Sequence, residues 1–339
     1  MMPARRIRIR RGCLDRARAM TYRLRRLIRS RAMADCQLCG SSHPAECPQL
    51  RTGQRLDKYT IGAAIGIGGI AAVYTADHPM LNRQIAVKIL HKRFAQDREL
   101  AARFVREARE TAALGHPAFV HVHDAGTTDD GCPYIEMDRL EGRELYSLRK
   151  ETGPMDPDRV VAICVQILDA LSVLHERGVI HRDIKSQNVY LVPSPTGDKV
   201  KLLDLGFAKV EDELALTSKQ QVLGTPLYIS PEQYLDPHAV DGRADLFSVG
   251  VLMFELLTGD WPYAWETKRD LLGKVMKGEL ERHPMNRRPD VPSWLDAVVA
   301  KALAKAREDR FESAAEMKAA LEAGPPPAKS GILRRIFGG

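Results

Sequence analysis

The chain has 339 residues and a formal net charge of +7, with 44% hydrophobic residues, 28% charged residues and six cysteines. These values exclude the disordered, collagen-like and disulfide-rich secreted classes and predict a folded core. No apolar run approaches the roughly 20 residues of a membrane-spanning helix and no signal-peptide pattern precedes the core, so we expect a cytoplasmic protein.

Residues 1–32 form a basic arm. Up to residue 31 the arm holds twelve arginines and one acid, Asp15, so it carries +11 and the rest of the chain carries −4. This composition favours a solvated, disordered segment, and the alternative is contact with a membrane surface or a nucleic acid. Met33 offers an alternative start of translation, from which the arm would not be made.

Residues 33–56 combine a Cys/His pattern with a linker. The pattern is C-x2-C-x3-H-x3-C, formed by Cys36, Cys39, His43 and Cys47. Four such ligands suit tetrahedral Zn²⁺, whose binding can fold a segment too small to hold a core. A flexible linker with free thiols fits the same spacing, and both interpretations stay open.

The first half of the remaining chain is predicted to be mainly sheet. Short β-type segments surround a glycine cluster from Tyr59 onwards, and the aliphatic run at 83–90 is typical of a buried strand. A charged helix is expected from about Arg98 to Leu114, followed by strands at 119–126 and 133–137.

The second half has a helical period. Asp156 can cap a helix with Pro157 in its first turn, and this helix should end near Gly178. The Pro-rich stretch that begins residues 324–339 stops any helix and leads into a short basic amphipathic tail. Further helices are expected at about 243–258, 268–277, 294–304 and 312–322.

Two motifs in the sheet-rich half indicate phosphate binding. Residues 66–73 nearly match the G-x-G-x-x-G-x-V loop, with Ala71 as the third glycine, and glycines let backbone N–H groups approach phosphate oxygens. Lys88 lies in an apolar strand, where an ammonium needs a charged partner, and Glu107 in the next helix is the candidate.

The motif at 181–188, HRDIKSQN, has the full spacing of a phosphoryl-transfer loop, and Asp204 follows sixteen residues after its last position. Such a transfer requires a positioned hydroxyl and neutralised phosphate charge. Asp183 would orient the hydroxyl, Lys185 would lie against the transferred group, and Asn188 with Asp204 would hold Mg²⁺.

This ordered set of motifs resembles the bacterial eukaryotic-like serine/threonine protein kinases over about Asp57 to Glu322. The resemblance implies an α+β, two-lobed kinase-like fold, with a small β-rich N-lobe at about 57–138 and a large helical C-lobe at about 139–323. It implies transfer of the γ-phosphoryl of ATP, with Mg²⁺ or Mn²⁺, to protein hydroxyls in bacterial signal transduction. It gives no oligomeric state.

The resemblance also implies residue roles. Met137 stands at the gatekeeper position, and Asp138, Arg139 and Leu140 would form the adenine-binding hinge. Lys88, Glu107, Asp183 and Lys185 would be catalytic. The nucleotide site would comprise Ile65, Gly66, Gly68, Gly69, Val73, Ala86, Lys88, Met137, Asp138, Leu140 and Asn188.

An activation segment is implied as well, ending at Ser230-Pro231-Glu232. Thr225 within it, together with Lys185, is associated with serine/threonine specificity. Arg182 can bind a phosphate placed on Thr217 or Ser218, which implies regulation by phosphorylation.

Two structural contacts and two departures complete the resemblance. Glu232 is expected to pair with Arg310, and Asp245 to brace the catalytic loop. Leu205 replaces the usual Phe and should preserve activity, and Ser186 replaces the usual Pro without touching a reacting group. The alternatives are a pseudokinase scaffold and a small-molecule kinase, which the retained motifs and Thr225 respectively disfavour.

Overall fold

The structure, a computed structural model, describes residues 51–78, 80, 83–203, 227–278, 280 and 282–325. Its first half forms an antiparallel six-stranded sheet with the spatial order first, second, third, fourth, sixth, fifth. The strands are β1 (Arg55–Leu56), β2 (Tyr59–Ile67), β3 (Ala71–His78), β4 (Arg83–Leu90), β5 (Val122–Thr127) and β6 (Pro133–Asp138).

One long helix packs on this sheet. After the short α1 (Lys92–Ala95), helix α2 runs over Arg98–Leu114, as predicted. It begins at Asp97, whose side chain accepts hydrogen bonds from two first-turn N–H groups, and it ends at Gly115 in the left-handed conformation. The apolar face of α2 packs against Leu90 and Ile135, which fixes the helix over the sheet.

The second half is mainly helical and contains the larger core. Helix α6 lies at its centre, with every residue from Ala244 to Leu257 buried. The elements are β7 (Arg143–Glu144), α3 (Leu145–Thr152), α4 (Pro157–Glu176), β8 (Val189–Ser194), β9 (Gly197–Leu202), α5 (Pro231–Leu235), α6 (Arg243–Thr258), α7 (Lys268–Lys277), α8 (Pro284–Arg287), α9 (Ser293–Ala302) and α10 (Ala314–Ala323). The predicted α+β, two-lobed architecture is confirmed.

The predicted strand at 119–126 was wrong at its start, because β5 begins at Val122. Phe119 instead forms a parallel bridge with Leu202 of β9 and is buried in the core of the helical half. The Leu202 N–H donates to Ala118 at 2.6 Å. This segment therefore joins the two halves rather than extending the sheet.

Residues before β1 are anchored to the sheet. The Arg51 guanidinium is buried and donates to both carboxylate oxygens of Asp130 at 3.2 and 3.1 Å and to Cys132 Sγ at 3.1 Å. A hydrogen bond from Thr128 is the largest of the effects that lower the pKa of Asp130 to about 2. Burial opposes this shift, and hydrogen bonds from Arg51 add to it. The chain therefore enters the sheet from a fixed point on the β5–β6 turn.

None of the described helices is both long enough and apolar enough to cross a bilayer.

A close approach at Gly142 gives a stability prediction. A Cβ at this position would lie 2.0 Å from the backbone oxygen of Leu191, which cannot move without distorting β8. Gly142→Ala should therefore lower the free energy of unfolding by about 1–3 kcal/mol in urea titration. Gly273→Ala in α7 is the control: a Cβ there meets nothing within 4 Å. It should stabilise by up to about 1 kcal/mol, and equal losses for both variants would contradict the prediction.

Candidate active site

The register of the sheet brings the predicted nucleotide-binding residues into two rows. Gly66 of β2 pairs with Val73 of β3, which in turn pairs with Lys88 of β4. Ala86 of β4 pairs with Met137 of β6. Ile65 lies beside Gly66 and is more than half exposed. These positions are thus adjacent across four strands.

The glycine loop between β2 and β3 is held from outside by two side chains. The Gly68 N–H donates to Ala71 O at 2.9 Å and closes the turn. The Gly68 carbonyl accepts from His91 Nε2 at 2.9 Å, and the Gly69 carbonyl accepts from Arg93 Nη2 at 2.7 Å. A Cβ built on Gly69 meets nothing within 4 Å, so the loop has open space beside it.

The predicted ion pair between Lys88 and Glu107 is confirmed. Lys88 Nζ lies 3.5 Å from Glu107 Oε1, and the two side chains are 15% and 13% exposed. Lys88 Nζ also lies 5.8 Å from the centre of the Phe104 ring. The ammonium is therefore fixed by α2 at the inner face of the sheet, where it can meet an anionic ligand.

Three predicted residues converge in the loop before β8. Asp183 Oδ2 accepts from Lys185 Nζ at 2.8 Å and from Asn188 Nδ2 at 2.8 Å, and Asn188 Nδ2 also donates to the Asp183 carbonyl at 2.9 Å. A 3-10 turn over Ser186–Asn188 brings these side chains together. A carboxylate held in this way can orient a hydroxyl group and accept its proton.

Asp245 braces this loop, as predicted. Its carboxylate is fully buried and accepts from the backbone N–H groups of His181 at 2.9 Å and Arg182 at 2.8 Å. His175 Nε2 contacts the same carboxylate at 2.8 Å. These bonds hold Arg182 at a φ of 62°, a conformation that a non-glycine residue rarely adopts.

Three residues follow the predicted gatekeeper at the junction of the two halves. Asp138 is the last residue of β6, its N–H donates to His121 O at 3.0 Å, and its side chain contacts His123 Nε2 at 2.8 Å. Arg139 contacts Gln84, and Leu140 is half-buried. The predicted hinge thus occupies the connection from β6 to the helical half.

The second predicted ion pair is also confirmed. Arg310 donates to both carboxylate oxygens of Glu232, at 2.6 and 2.8 Å, and its side chain is fully buried. Arg310 also donates to three backbone carbonyls, which satisfy the rest of the guanidinium. The pair ties α5 to the segment before α10.

Several predicted site residues lie outside the described residues and their roles stay predictions. In that group are the metal ligand Asp204, the phosphorylation candidates Thr217 and Ser218, the specificity residue Thr225, and the Cys/His set Cys36, Cys39, His43 and Cys47. Within the described ranges, no group of three or more His, Cys, Asp or Glu side chains could hold a metal ion. Arg182 is described, and its guanidinium donates to Pro237 O at 3.0 Å.

Sequence reasoning missed the side chains that support the loops. His91 and Arg93 follow a strand and carry no motif that points to the glycine loop. Ser186 was noted only as a departure, yet it contacts Tyr228 and Glu255, which lie 42 and 69 positions further along the chain. No local signal could have found those contacts.

A family profile described as "Protein kinase domain" matches residues 59–321. The chain belongs to the protein kinase family. It is 36% identical over 284 residues to serine/threonine-protein kinase PknB of Mycobacterium leprae. The aligned segment covers 82% of this chain and 45% of that protein. Over 273 residues it is 37% identical to serine/threonine-protein kinase pkn3 of Myxococcus xanthus, with coverage of 78% and 50%. The chain thus spans about half the length of the curated relatives it matches.

Solved structures agree on the fold. The chain superimposes on the crystal structure of the Mycobacterium tuberculosis PknI kinase domain with a TM-score of 0.61 and 28% identity, covering 81% of this chain and 99% of that one. The six-stranded sheet therefore belongs to the N-lobe of a protein kinase fold, and the helical half is its C-lobe.

Family membership implies ATP and Mg²⁺ as cofactors, and the described residues fit them. Lys88 offers a paired, mostly buried ammonium to phosphate, and the glycine loop has room for a ligand beside Gly69. Asn188 contributes a hard oxygen donor of the kind Mg²⁺ prefers. The second predicted oxygen donor, Asp204, lies outside the described chain.

Proposed function

We propose that this chain is an active serine/threonine protein kinase that transfers the γ-phosphoryl group of Mg-ATP to protein hydroxyls in bacterial signal transduction. The observation that carries the proposal is the hydrogen-bonded set Asp183, Lys185 and Asn188, held by the buried Asp245. The Lys88–Glu107 pair supports it from the N-lobe. Together these residues offer a phosphate-binding ammonium, a carboxylate that can orient a hydroxyl group, a second ammonium for the transferred group and one metal ligand.

Each residue has a defined task in this proposal. Lys88, oriented by Glu107, binds phosphate oxygens, and Asn188 with Asp204 holds the metal ion. Asp183 orients the acceptor hydroxyl and accepts its proton as the new P–O bond forms and the bond to the leaving ADP oxygen breaks. Lys185 neutralises charge on the transferred group. Bound ATP and Mg²⁺ supply the phosphoryl group and the charge neutralisation that it needs.

The acceptor class rests on Lys185 and Thr225, the two features that the family associates with aliphatic hydroxyls. PknB and pkn3 are named as serine/threonine kinases, which favours the same class here. A pseudokinase would need a gap in the catalytic set, and Lys88, Glu107, Asp183 and Asn188 are all retained.

The experiment is incubation of the purified full-length chain with labelled ATP, Mg²⁺ and a generic basic protein, followed by mapping of the labelled residues by mass spectrometry. We expect label on serine and threonine, including Thr217 or Ser218 of the kinase itself. Label on tyrosine alone would contradict the acceptor class. Label confined to a small molecule in a cell extract would favour the small-molecule alternative.

We also propose that Cys36, Cys39, His43 and Cys47 bind zinc, on the strength of their ligand types and spacing. The purified chain should contain about one zinc ion by elemental analysis, and Cys36→Ser with Cys39→Ser should remove it. Cys13→Ser is the control and should leave the zinc content unchanged. Zinc-free protein from zinc-supplemented cells would contradict the proposal and favour a linker with free thiols.

A further inference from the structure

Ser186 joins the catalytic loop to a buried polar network. Its side chain is fully buried, and its Oγ lies 3.0 Å from the Tyr228 hydroxyl and donates to Glu255 Oε1 at 3.2 Å. The Tyr228 hydroxyl donates to the other oxygen of Glu255. Arg149 donates to Glu255 Oε1 through Nε at 3.1 Å and Nη2 at 2.6 Å. Four separate elements of the C-lobe thus meet on one carboxylate.

The buried charge of Glu255 has enough hydrogen-bond donors even without Ser186. The fully buried Glu255 carboxylate pairs with the Arg149 guanidinium, which supplies two donors. Burial, and then the adjacent Glu255, raises the pKa of the Tyr228 hydroxyl, so this group stays protonated and donates. Removal of the serine hydroxyl therefore leaves the buried charge with three donors, and the fold should hold.

The serine hydroxyl adds a side-chain link between this network and the reacting groups, beside the Ser186 N–H, which donates to the Tyr228 hydroxyl at 3.4 Å. Ser186 directly follows Lys185, and Asn188 is two positions on, both donors to the Asp183 carboxylate. Tyr228 lies three residues after Thr225, in the segment that ends at Glu232 and that should face the acceptor. Lys185, the residue before Ser186, belongs to the group that contacts Asp183. Tyr228, which contacts Ser186, belongs to the segment that should face the acceptor. Ser186 therefore lies between the two sides of the phosphoryl transfer.

We propose that Ser186 is a positioning residue that aligns the acceptor-side segment with Asp183 through Tyr228 and Glu255. From the sequence alone, Ser186 is only a replacement of the usual Pro that touches no reacting group. Its contacts in the structure give it a role in alignment. The inference rests on the proposed kinase function, because alignment matters only where a protein hydroxyl must meet Asp183. Loss of the hydroxyl should misplace the acceptor while leaving the Lys88 side of the site unchanged.

The test compares two rates in the same full-length protein: phosphoryl transfer to a protein acceptor and hydrolysis of ATP by water. Ser186→Ala should lower the ratio of transfer to hydrolysis about fivefold, the rate equivalent of one hydrogen bond worth about 1 kcal/mol. The KM for ATP should stay at the wild-type value, and the Tm should fall by no more than about 4 °C. Ser172→Ala, which removes a half-buried hydroxyl bonded within α4 to Leu168 O, is the control and should leave the ratio unchanged.

A second variant separates positioning from general loss of structure. Tyr228→Phe should lower the same ratio, and the double variant should be no worse than the poorer single one, because each single change already removes the contact between Ser186 Oγ and the Tyr228 hydroxyl. Single effects that multiply, an unchanged ratio in Ser186→Ala, or equal loss of transfer and hydrolysis would each contradict the inference.

Hydrogen exchange distinguishes failure of this inference from failure of the kinase proposal. Wild-type protein that transfers no phosphate would contradict the proposed function. In that case Ser186→Ala should still speed amide exchange in peptides covering 183–190 and 227–231 relative to Ser172→Ala. Unchanged exchange in both peptides would overturn the link between the two segments.

Discussion

Asp183→Asn is expected to slow phosphoryl transfer about 100- to 10,000-fold, the usual contribution of a positioned general base. The amide keeps an oxygen that Lys185 and Asn188 can contact, as they contact the carboxylate at 2.8 Å. It cannot accept the proton of the acceptor hydroxyl. Affinity for Mg-ATP should therefore stay within a factor of about three of the wild type.

The measurement is single-turnover transfer to a protein acceptor beside calorimetric titration with Mg-ATP. Asp198→Asn, in β9, is the control because it removes a carboxylate that pairs with Arg159 at 2.8 Å, near the surface of the same lobe. It should change neither quantity. Transfer by Asp183→Asn at the wild-type rate would remove this residue from the catalytic set.

Arg310→Met is expected to lower the free energy of unfolding by about 3–5 kcal/mol, the usual cost of leaving one half of a buried ion pair. The methionine retains the apolar stem but removes both bonds to Glu232, at 2.6 and 2.8 Å, and the donors to three backbone carbonyls. Urea titration with linear extrapolation measures the loss.

Lys301→Met is the matched control. Lys301 pairs with Glu316 at 2.9 Å, a similar distance, but the two side chains are 42% and 43% exposed. Solvent screening should keep its loss below about 1 kcal/mol. Equal losses in the two variants would show that burial does not determine the worth of the Glu232–Arg310 pair.

The long helices could be predicted because their signals are local. Helix α4 has a capping aspartate, a proline in its first turn and a sustained apolar period, and it runs over Pro157–Glu176 as expected. Helix α2 has the same kind of start at Asp97. The kinase motifs were equally local, since spacing within one loop places Asp183, Lys185 and Asn188 together.

The β8–β9 hairpin could not be predicted because its sequence argues against it. Pro193 interrupts the first strand, and proline is normally excluded from paired strands. In the structure Pro193 lies beyond the end of β7, which pairs only with Tyr190 and Leu191. The proline therefore needs no partner on that side, a fact that appears only once the register is known.

The contacts around Ser186 were out of reach for a different reason. A missing proline marks the position in the sequence, but Glu255 is brought to it by the packing of α6 in the core, and Ser248 of α6 holds the Tyr228 carbonyl at 2.8 Å. The anchor between Arg51 and Asp130 is similarly long-range, spanning 79 positions. Tertiary packing, not local pattern, determines such polar networks.

The proposed function requires that the site around Lys88 and Asp183 transfers a phosphoryl group rather than only binding nucleotide. The direct measurement is a single turnover of γ-labelled ATP prebound to the full-length chain with Mg²⁺ and chased into a protein acceptor. We expect label to leave ATP and to appear on serine or threonine hydroxyls. Label that stays in bound ATP through the chase, in well-folded protein, would contradict the proposed function and identify the chain as a nucleotide-binding scaffold.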